Sequence, residues 1–331
     1  MTMACKTSSI ALSLALCGMA ASGAALAQVD SSLNYPNRTV RILVGYAPGG
    51  GVDITARLMA QKFGNAWGQS VIVENRPGAG GNIATEQVAK ATPNGYLLIM
   101  VSSGHAISVS LYEKLAYDPV KDVTAISLVA GTPSMIIAHP SVPINSLQEL
   151  IAFARAKPGQ VTYGSPGTGT TAHLATVLFA SMTGIQLTHV PYNGSGASTV
   201  ASLSGQLQLL ASSLPSGLPH VRSGKLKIIG VTSAQRTPLA PDLPTLAQGG
   251  VPGYEAITWY GLLTSPGTPM PIVNKINAEI ERANQQRDVL DRYQTLGLDP
   301  LSSTPTQFSD YIKAEVVKWA KVVRESGAKA D

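Results

Sequence analysis

Four loops rich in glycine and hydroxyl residues have the composition of a ligand-binding site. They are residues 48–53, 78–82, 165–171 and 192–196, and each follows a predicted strand and precedes a predicted helix. A helix N-terminus presents unpaired N–H groups and about half a positive charge, and glycine lets a ligand approach the backbone. One such loop is also what an ordinary tight turn requires, but four together favour a site that binds an anion without arginine.

Two of these loops carry side chains with alternative roles. Asp53 is either the N-cap of the first helix or a carboxylate that faces a cleft and orders water or a ligand amine. Thr168, Thr170 and Thr171 could also cap a helix, yet three hydroxyls in four positions exceed what one cap requires. We therefore expect these threonines to contact a ligand.

The sequence motifs of enzymes and cofactor sites are incomplete. Residues 167–172 match a dinucleotide-binding fingerprint, but residues 187–193 supply no acidic partner for the ribose. The five histidines lack metal-binding spacing, and no serine lies in a G-x-S-x-G elbow. We therefore expect no catalytic residue, no metal and no cofactor. His173 and His189 are worth testing for a functional role because they lie beside the hydroxyl-rich loops.

The composition is that of a globular protein with room for two domains. The chain has 331 residues, of which 44% are hydrophobic and 13% are charged, and this argues against disorder or a coiled coil. A formal net charge of +5 suits attraction of small anions. The absence of a Lys/Arg cluster with interleaved aromatic residues argues against nucleic acid as a partner. We expect a monomer.

Residues 1–27 have the pattern of a secretory signal. They contain no Asp or Glu, and they combine a basic start at Lys6 with an apolar run over 10–21. The small residues at 25–27 resemble a cleavage site, so we predict cleavage after Ala27 and a protein exported to the periplasm.

Both cysteines of the sequence, Cys5 and Cys17, lie inside this signal. A lipoprotein anchor at Cys17 is the alternative, but Leu16 is bulky where such an anchor needs a small residue before the cysteine. The mature chain is therefore predicted to contain no disulfide and no thiolate nucleophile.

The remainder of the chain alternates short β-branched runs with longer segments of helical period, which is typical of an α/β protein. Ser146 with Glu149, and Thr304 with Gln307, have the spacing of helix capping boxes. We predict strands at 40–47, 71–74, 97–101, 123–129, 135–139, 161–164, 187–191 and 226–231, and helices from 53, at 82–91, from 147, and at 271–283, 288–296 and 305–326.

Several motifs together closely resemble the Bug family, the TctC-like periplasmic receptors of tripartite tricarboxylate transporters. The resemblance spans nearly all of the mature chain with the motifs in family order. They include YAPGGGVD at 46–53, VENRPGAGG at 73–81, PNGY at 93–96, HVPY at 189–192, WYG at 259–261 and the helix of Trp319.

The resemblance implies a type II periplasmic-binding-protein fold, in which two α/β domains joined by two crossing strands close over a central ligand cleft. Residues 28–132 and 255–331 would form domain I, and residues 133–254 would form domain II. The C-terminal helices would return to pack on domain I.

The resemblance also implies that loops of both domains and ordered waters, rather than arginine, hold a ligand carboxylate. Family members commonly have Lys where this chain has Asn193, so a preference for amino-acid ligands is not expected here. The expected ligand-binding residues, including two from the fourth loop, are Ala47, Gly50, Gly51, Asp53, Ser103, Thr168, Gly169, Thr170, Thr171, Tyr192 and Asn193.

The function implied by the resemblance is capture of a small carboxylate, without a chemical step, and its delivery to the membrane permease subunits of a tripartite tricarboxylate transporter. The ligand would be a dicarboxylate, a tricarboxylate or an aromatic carboxylate. A ligand receptor for a sensor kinase is an alternative partner assignment. A periplasmic α/β hydrolase is the alternative from another class, but it needs a nucleophile, base or metal that no spacing supplies.

Overall fold

The computed structural model describes residues 34–192 and 194–330, and in this part of the chain α-helices flank one mixed β-sheet. The predicted signal at 1–27 and Asn193 lie outside the described residues. The strands are β1 (Val40–Val44), β2 (Val71–Asn75), β3 (Leu97–Ser102), β4 (Thr124–Ala138), β5 (Val161–Ser165), β6 (Leu187–Pro191), β7 (Leu209–Ser213), β8 (Lys227–Val231), β9 (Ile257–Thr264) and β10 (Asp299–Pro300). The helices are α1 (Gly51–Trp67), α2 (Asn82–Ala89), α3 (Gly104–Leu111), α4 (Leu147–Ala156), α5 (Thr171–Thr183), α6 (Ser195–Leu203), α7 (Leu214–Arg222), α8 (Met270–Asn284), α9 (Arg287–Leu296) and α10 (Pro305–Ser326).

The sheet has two halves that share β4. The strand order is β2-β1-β3-β9-β4-β7-β5-β6, and β8 and β10 also pair with β4. In the first half (β1, β2, β3, β9 and β10), β1 lies parallel between β2 and β3. In the second half (β5, β6, β7 and β8), β5 lies parallel between β6 and β7. Within each half, parallel strands send their carboxyl ends to one edge. The end of β3 at Ser102 and the end of β7 at Ser213 both lie beside the segment where β4 crosses between the halves, so the loops after β3 and β5 face each other there.

Strand β4 crosses from one half to the other without a break. The prediction of two strands, at 123–129 and 135–139, is therefore wrong. Pro133 is the last residue paired with β9, and Ser134 begins the pairing with β7. The missing N–H of proline thus falls where the strand changes partners, and a strand tolerates proline at such a point.

A second connection between the halves runs beside Pro133. The Ala256 N–H donates to the Thr232 carbonyl (2.9 Å), and the Ser134 N–H donates to the Thr232 hydroxyl (2.8 Å). The chain then enters β9 and returns to the first half. The two halves are thus joined by two neighbouring backbone segments.

The C-terminal helix α10 begins as the sequence predicts. The Gln307 N–H donates to the Thr304 hydroxyl (3.2 Å), and the Gln307 side chain accepts from the Thr304 N–H (2.9 Å), which confirms the capping box. Gly327 ends the helix in the left-handed region at φ 65°. Helix α8 packs on α1 and β4, whereas α10 lies against both α3 and α5 and so contacts elements that follow strands of both halves.

Other elements differ from the sequence prediction in extent. Strand β1 ends at Val44 rather than at residue 47. Helices α3 and α7 and strands β7 and β9 were not predicted; α7 contains Pro215 and Pro219, which interrupt a helical pattern. Within the described residues, the helices are all too short or too polar to cross a bilayer.

Candidate functional site

A cavity lies where the N-termini of α3 and α5 meet. Its volume is about 390 Å³, within the range of about 300–1,000 Å³ that is usual for ligand sites. Among the described residues, none of those that line it carries a formal charge. The polar lining residues are Tyr46, Ser102, Ser103, Ser108, Tyr112, Ser134, Thr170, Thr171, Ser213 and Thr258.

One wall of the cavity is built around Tyr46, which follows β1. The Tyr46 hydroxyl forms a 3.0 Å hydrogen bond with the Ser102 hydroxyl. Burial raises the pKa of Tyr46, so its hydroxyl stays protonated. A Cβ atom at Gly104 would lie 2.8 Å from the Tyr46 oxygen, so only glycine lets α3 begin this close to the ring.

The opposite wall is the loop between β5 and α5. Thr170 is the N-cap of α5: its hydroxyl accepts from the His173 N–H (3.4 Å) and donates to the Gly167 carbonyl (2.7 Å). Gly169 has φ +76°, a conformation that side chains rarely adopt. These contacts shape the loop before any ligand arrives.

Ser103 and Thr171 connect the two walls. Their hydroxyl oxygens are 3.0 Å apart and hydrogen-bonded, although the residues follow strands in different halves of the sheet. Ser103 is also fixed from the protein side, because its N–H donates to the Trp259 carbonyl (3.0 Å). The predicted residues Ser103, Gly169, Thr170 and Thr171 are therefore brought together at one cavity.

The first turn of α5 supplies N–H groups to this cavity. Thr171 and Ala172 both line it. Within the described residues, neither backbone N–H donates a hydrogen bond to the protein. Together with the helix dipole and the hydroxyls, these groups can solvate a carboxylate.

The structure places the loop before α1 beside this cavity rather than in its lining. Ala47 and Gly50 are exposed, and Gly51 packs against the Tyr260 hydroxyl. Asp53 is buried and is not the N-cap, which is Gly50. The Asp53 carboxylate accepts hydrogen bonds from the Gly49 N–H, Arg57 and Asn75.

Two further predicted residues, Thr168 and Tyr192, also lie outside the lining. Thr168 is exposed on the same loop as Thr170. The Tyr192 N–H donates to the Ser165 carbonyl (3.1 Å), which ties Tyr192 to the start of the loop. Asn193 lies outside the described residues.

Several lining residues are not predicted from the sequence. Ser134, Ser213 and Thr258 lie where β4, β7 and β9 meet, and Tyr46 lies in a segment that the sequence predicts as strand. No local motif marks the first three, because only the strand pairing brings them to the cavity. The described residues contain no group of three or more His, Cys, Asp or Glu that could hold a metal.

Comparison with known proteins assigns a family. A model described as the tripartite tricarboxylate transporter family receptor, TctC, matches residues 55–328. The chain is 35% identical to Protein BugT of Bordetella pertussis over 318 residues, which cover 96% of this chain and 98% of BugT.

Two solved structures are similar along most of the chain. R. palustris Rpa4515 with adipate is 34% identical, with a TM-score of 0.72, and the match covers 89% of this chain and 99% of that one. MatC from Rhodopseudomonas palustris with bound malate is 32% identical, with a TM-score of 0.68 and coverage of 87% and 100%. These similarities confirm the predicted type II periplasmic-binding-protein fold.

Proposed function

Because the chain belongs to the tripartite tricarboxylate transporter receptor family, we propose that it is a periplasmic solute-binding protein that captures a small carboxylate in the cavity between α3 and α5. The observation that supports this proposal is the uncharged lining of the cavity, where several hydroxyl groups and the N-terminus of α5 face the same space. Two relatives of this family were solved with adipate and with malate. Both ligands are dicarboxylates, and this supports the same ligand class for the present chain.

One ligand carboxylate would lie at the first turn of α5. It would accept hydrogen bonds from the N–H groups of Thr171 and Ala172 and from the hydroxyls of Ser103 and Thr171. Hydrogen bonds to a charged acceptor contribute about 1.5–3 kcal/mol each, so a few of them replace an arginine. The site contains no nucleophile–base pair among its lining residues, and binding would involve no chemical step.

The two halves of the sheet would act as domains that close over the ligand. Residues 28–132 and 255–331 would form one domain and residues 133–254 the other, with the hinge near Pro133 and Ala256. Closure would bring the exposed Ala47 and Gly50 and the neighbouring Gly51 towards the ligand. Ligand binding selects the closed state only through contacts that the open state lacks.

The family assignment supports a role in transport. The protein would be exported by the segment 1–27, cleaved after Ala27, and would deliver its ligand to the permease subunits of a tripartite tricarboxylate transporter. A pulldown with permease and sensor-kinase ectodomains tests this partner. Capture of the kinase alone would contradict delivery to the permease.

Calorimetry with a Thr171→Val variant tests the site. Valine keeps the shape of threonine and removes the hydroxyl, so adipate or malate should bind about tenfold more weakly or worse. Thr295→Val is the matched control, because Thr295 is exposed on α9, and its affinity should equal that of the wild type. Equal affinity in Thr171→Val would contradict the site, and failure of di-, tri- and aromatic carboxylates to bind the wild type would contradict the function.

A further inference from the structure

Two histidines lie directly behind the ligand loop and do not line its cavity. His173 is in the first turn of α5, and His189 is on β6. Their rings stack with centroids 4.0 Å apart and an interplanar angle of 19°. Tyr163 of β5 stacks on both rings, with its centroid 4.9 Å from that of His189 and 6.4 Å from that of His173. The three rings form a layer under residues 165–171.

Each histidine holds one part of this loop. The Gly169 N–H donates to His173 Nδ1 (3.1 Å), and His189 Nε2 is hydrogen-bonded to the Ser165 hydroxyl (2.7 Å). The Ser165 hydroxyl also accepts from the Gly167 N–H (3.2 Å). The backbone at both glycines is therefore fixed by side chains that do not face the ligand cavity.

We infer that His173, supported by His189, is a positioning residue that sets the geometry of the carboxylate-binding loop 167–171. The inference rests on the proposed function, since it assigns these histidines a role in that same site. Gly169, Thr170 and Thr171 line the cavity. Removing the bond at Gly169 therefore displaces ligand donors without removing any group that touches the ligand.

The role of His173 requires a neutral ring with its proton on Nε2. Nδ1 accepts a hydrogen bond only in this tautomer. His173 is 3% exposed. Burial first, and then His189, lower the pKa of His173 to about 4, so the ring stays neutral at neutral pH. The titratable groups facing the pair from the neighbouring elements are Tyr163 of β5 and Glu325 of α10.

Two substitutions separate hydrogen bonding from packing. In His173→Asn, the amide oxygen takes the position of Nδ1 and can still accept from Gly169. In His173→Leu, a similar volume is kept and the acceptor is lost. We expect adipate affinity, measured by calorimetry at pH 7.5, to fall at least about tenfold in His173→Leu and to stay within about threefold of wild type in His173→Asn.

Two further measurements on the ligand-free protein test the same bond. Exchange of the Gly169 amide hydrogen should be about tenfold faster in His173→Leu than in the wild type and in His173→Asn. Ring ¹⁵N shifts of wild-type His173 should show an unprotonated Nδ1 and a protonated Nε2. This second readout needs no variant, so it decides the question even if His173→Leu fails to fold.

The outcomes distinguish this inference from the proposed function. If the wild type binds no carboxylate, the proposed function fails, while amide exchange and ring shifts still decide the role of His173. If Gly169 exchange is the same in His173→Leu and wild type, if His173→Asn loses as much affinity as His173→Leu, or if Nδ1 carries the proton, the inference is wrong.

Discussion

The carboxylate of Asp53 accepts its hydrogen bonds from groups of the protein itself. Although burial alone would raise its pKa, hydrogen bonds from Arg57, Gly49 and Asn75 hold the pKa of Asp53 below its usual value. The carboxylate thus fixes the loop that precedes α1 to the end of β2. The sequence suggests two roles for Asp53, helix N-cap or ligand contact, and not this structural role. Asn75 is 22 residues away and meets Asp53 only after β1 and β2 pair.

Replacing Asp53 by asparagine should destabilise the protein by about 1–3 kcal/mol at pH 7, because charged hydrogen bonds to Arg57 and Gly49 are lost. Asp53 has a lowered pKa in the folded state, so its stabilisation is present above the unfolded pKa and is lost as the pH falls through the folded pKa. Urea unfolding of Asp53→Asn should therefore approach that of the wild type at low pH. Asp310→Asn, which removes an exposed partner of Lys313, should change stability by less than about 1 kcal/mol. Equal effects of the two variants at pH 7 would contradict this account of Asp53.

His105 on α3 should make stability depend on pH. Its Nε2 is hydrogen-bonded to the Pro119 carbonyl (2.8 Å), and burial lowers the pKa of His105 to about 4. The unfolded chain therefore binds a proton near its ordinary pKa of about 6.5, whereas the folded protein does so only near pH 4. The contribution of His105 to stability is lost progressively as the pH falls from about 6.5 to about 4.

Unfolding of His105→Gln checks this directly. Glutamine can still donate to Pro119 but does not titrate, so the stability of the variant should fall less steeply between pH 6.5 and 4, by up to about 1.4 kcal/mol per pH unit. Parallel curves for wild type and His105→Gln would show that His105 titrates normally in the folded protein.

Some residues of the candidate site are predictable from the sequence, and others are not. Gly169, Thr170 and Thr171 form a continuous hydroxyl-rich loop before a helix, so sequence alone predicts them. Ser134, Ser213 and Thr258 come from three strands that are distant in sequence. Their positions depend on strand pairing, which a local pattern does not specify.

At the scale of elements, α10 is held to β9 by a buried carboxylate. Glu315 is 3% exposed, and its Oε2 accepts from the indole N–H groups of Trp259 (2.9 Å) and Trp319 (2.8 Å). Lys318 pairs with the other carboxylate oxygen. The Trp259 carbonyl accepts a hydrogen bond from the Ser103 N–H. The contact between Trp259 and Glu315 is therefore only one residue away from the cavity wall.

Replacing Glu315 by leucine should cost about 3–5 kcal/mol, because two buried indole N–H groups and Lys318 lose their partner. Glu315→Gln keeps one oxygen for the indoles and should cost less. The control is Glu325→Leu on the same helix, where the side chain is exposed, and there we expect a change below about 1 kcal/mol. Chemical denaturation measures all three, and equal losses in the leucine and glutamine variants would contradict a hydrogen-bonding role for Glu315.

The predictability of the elements follows from how local their signals are. Helix α10 was predicted with its bounds because its cap, its first-turn proline and its terminal glycine are all local. The sequence predicts two strands where β4 is one, because the change of partners at Pro133, which lets the strand continue through a proline, is not visible in a local pattern. Helix α7 was missed because its prolines hide the helical pattern.

Side-chain contacts join the two halves of the molecule at two places besides the crossing strands. At the cavity, Ser103 bonds Thr171. Elsewhere, the Thr237 hydroxyl lies 2.8 and 3.0 Å from the two carboxylate oxygens of Asp299, which β10 attaches to β4. Each hydroxyl has one proton to donate, so a ligand carboxylate that accepts from both Ser103 and Thr171 would replace the hydrogen bond between them. The type II fold was predictable from motif order across the chain, whereas these contacts depend on how the halves meet.

The proposed function places a dicarboxylate at the N-terminus of α5. Titration of adipate into ¹⁵N-labelled protein, followed by amide chemical shifts, shows whether the ligand binds there. We predict that the amide protons of Thr171 and Ala172 move downfield on saturation, because each gains a charged acceptor. Saturable binding that leaves both amides unmoved and shifts only those of Gly50 and Gly51 would place the carboxylate at α1 and contradict the account.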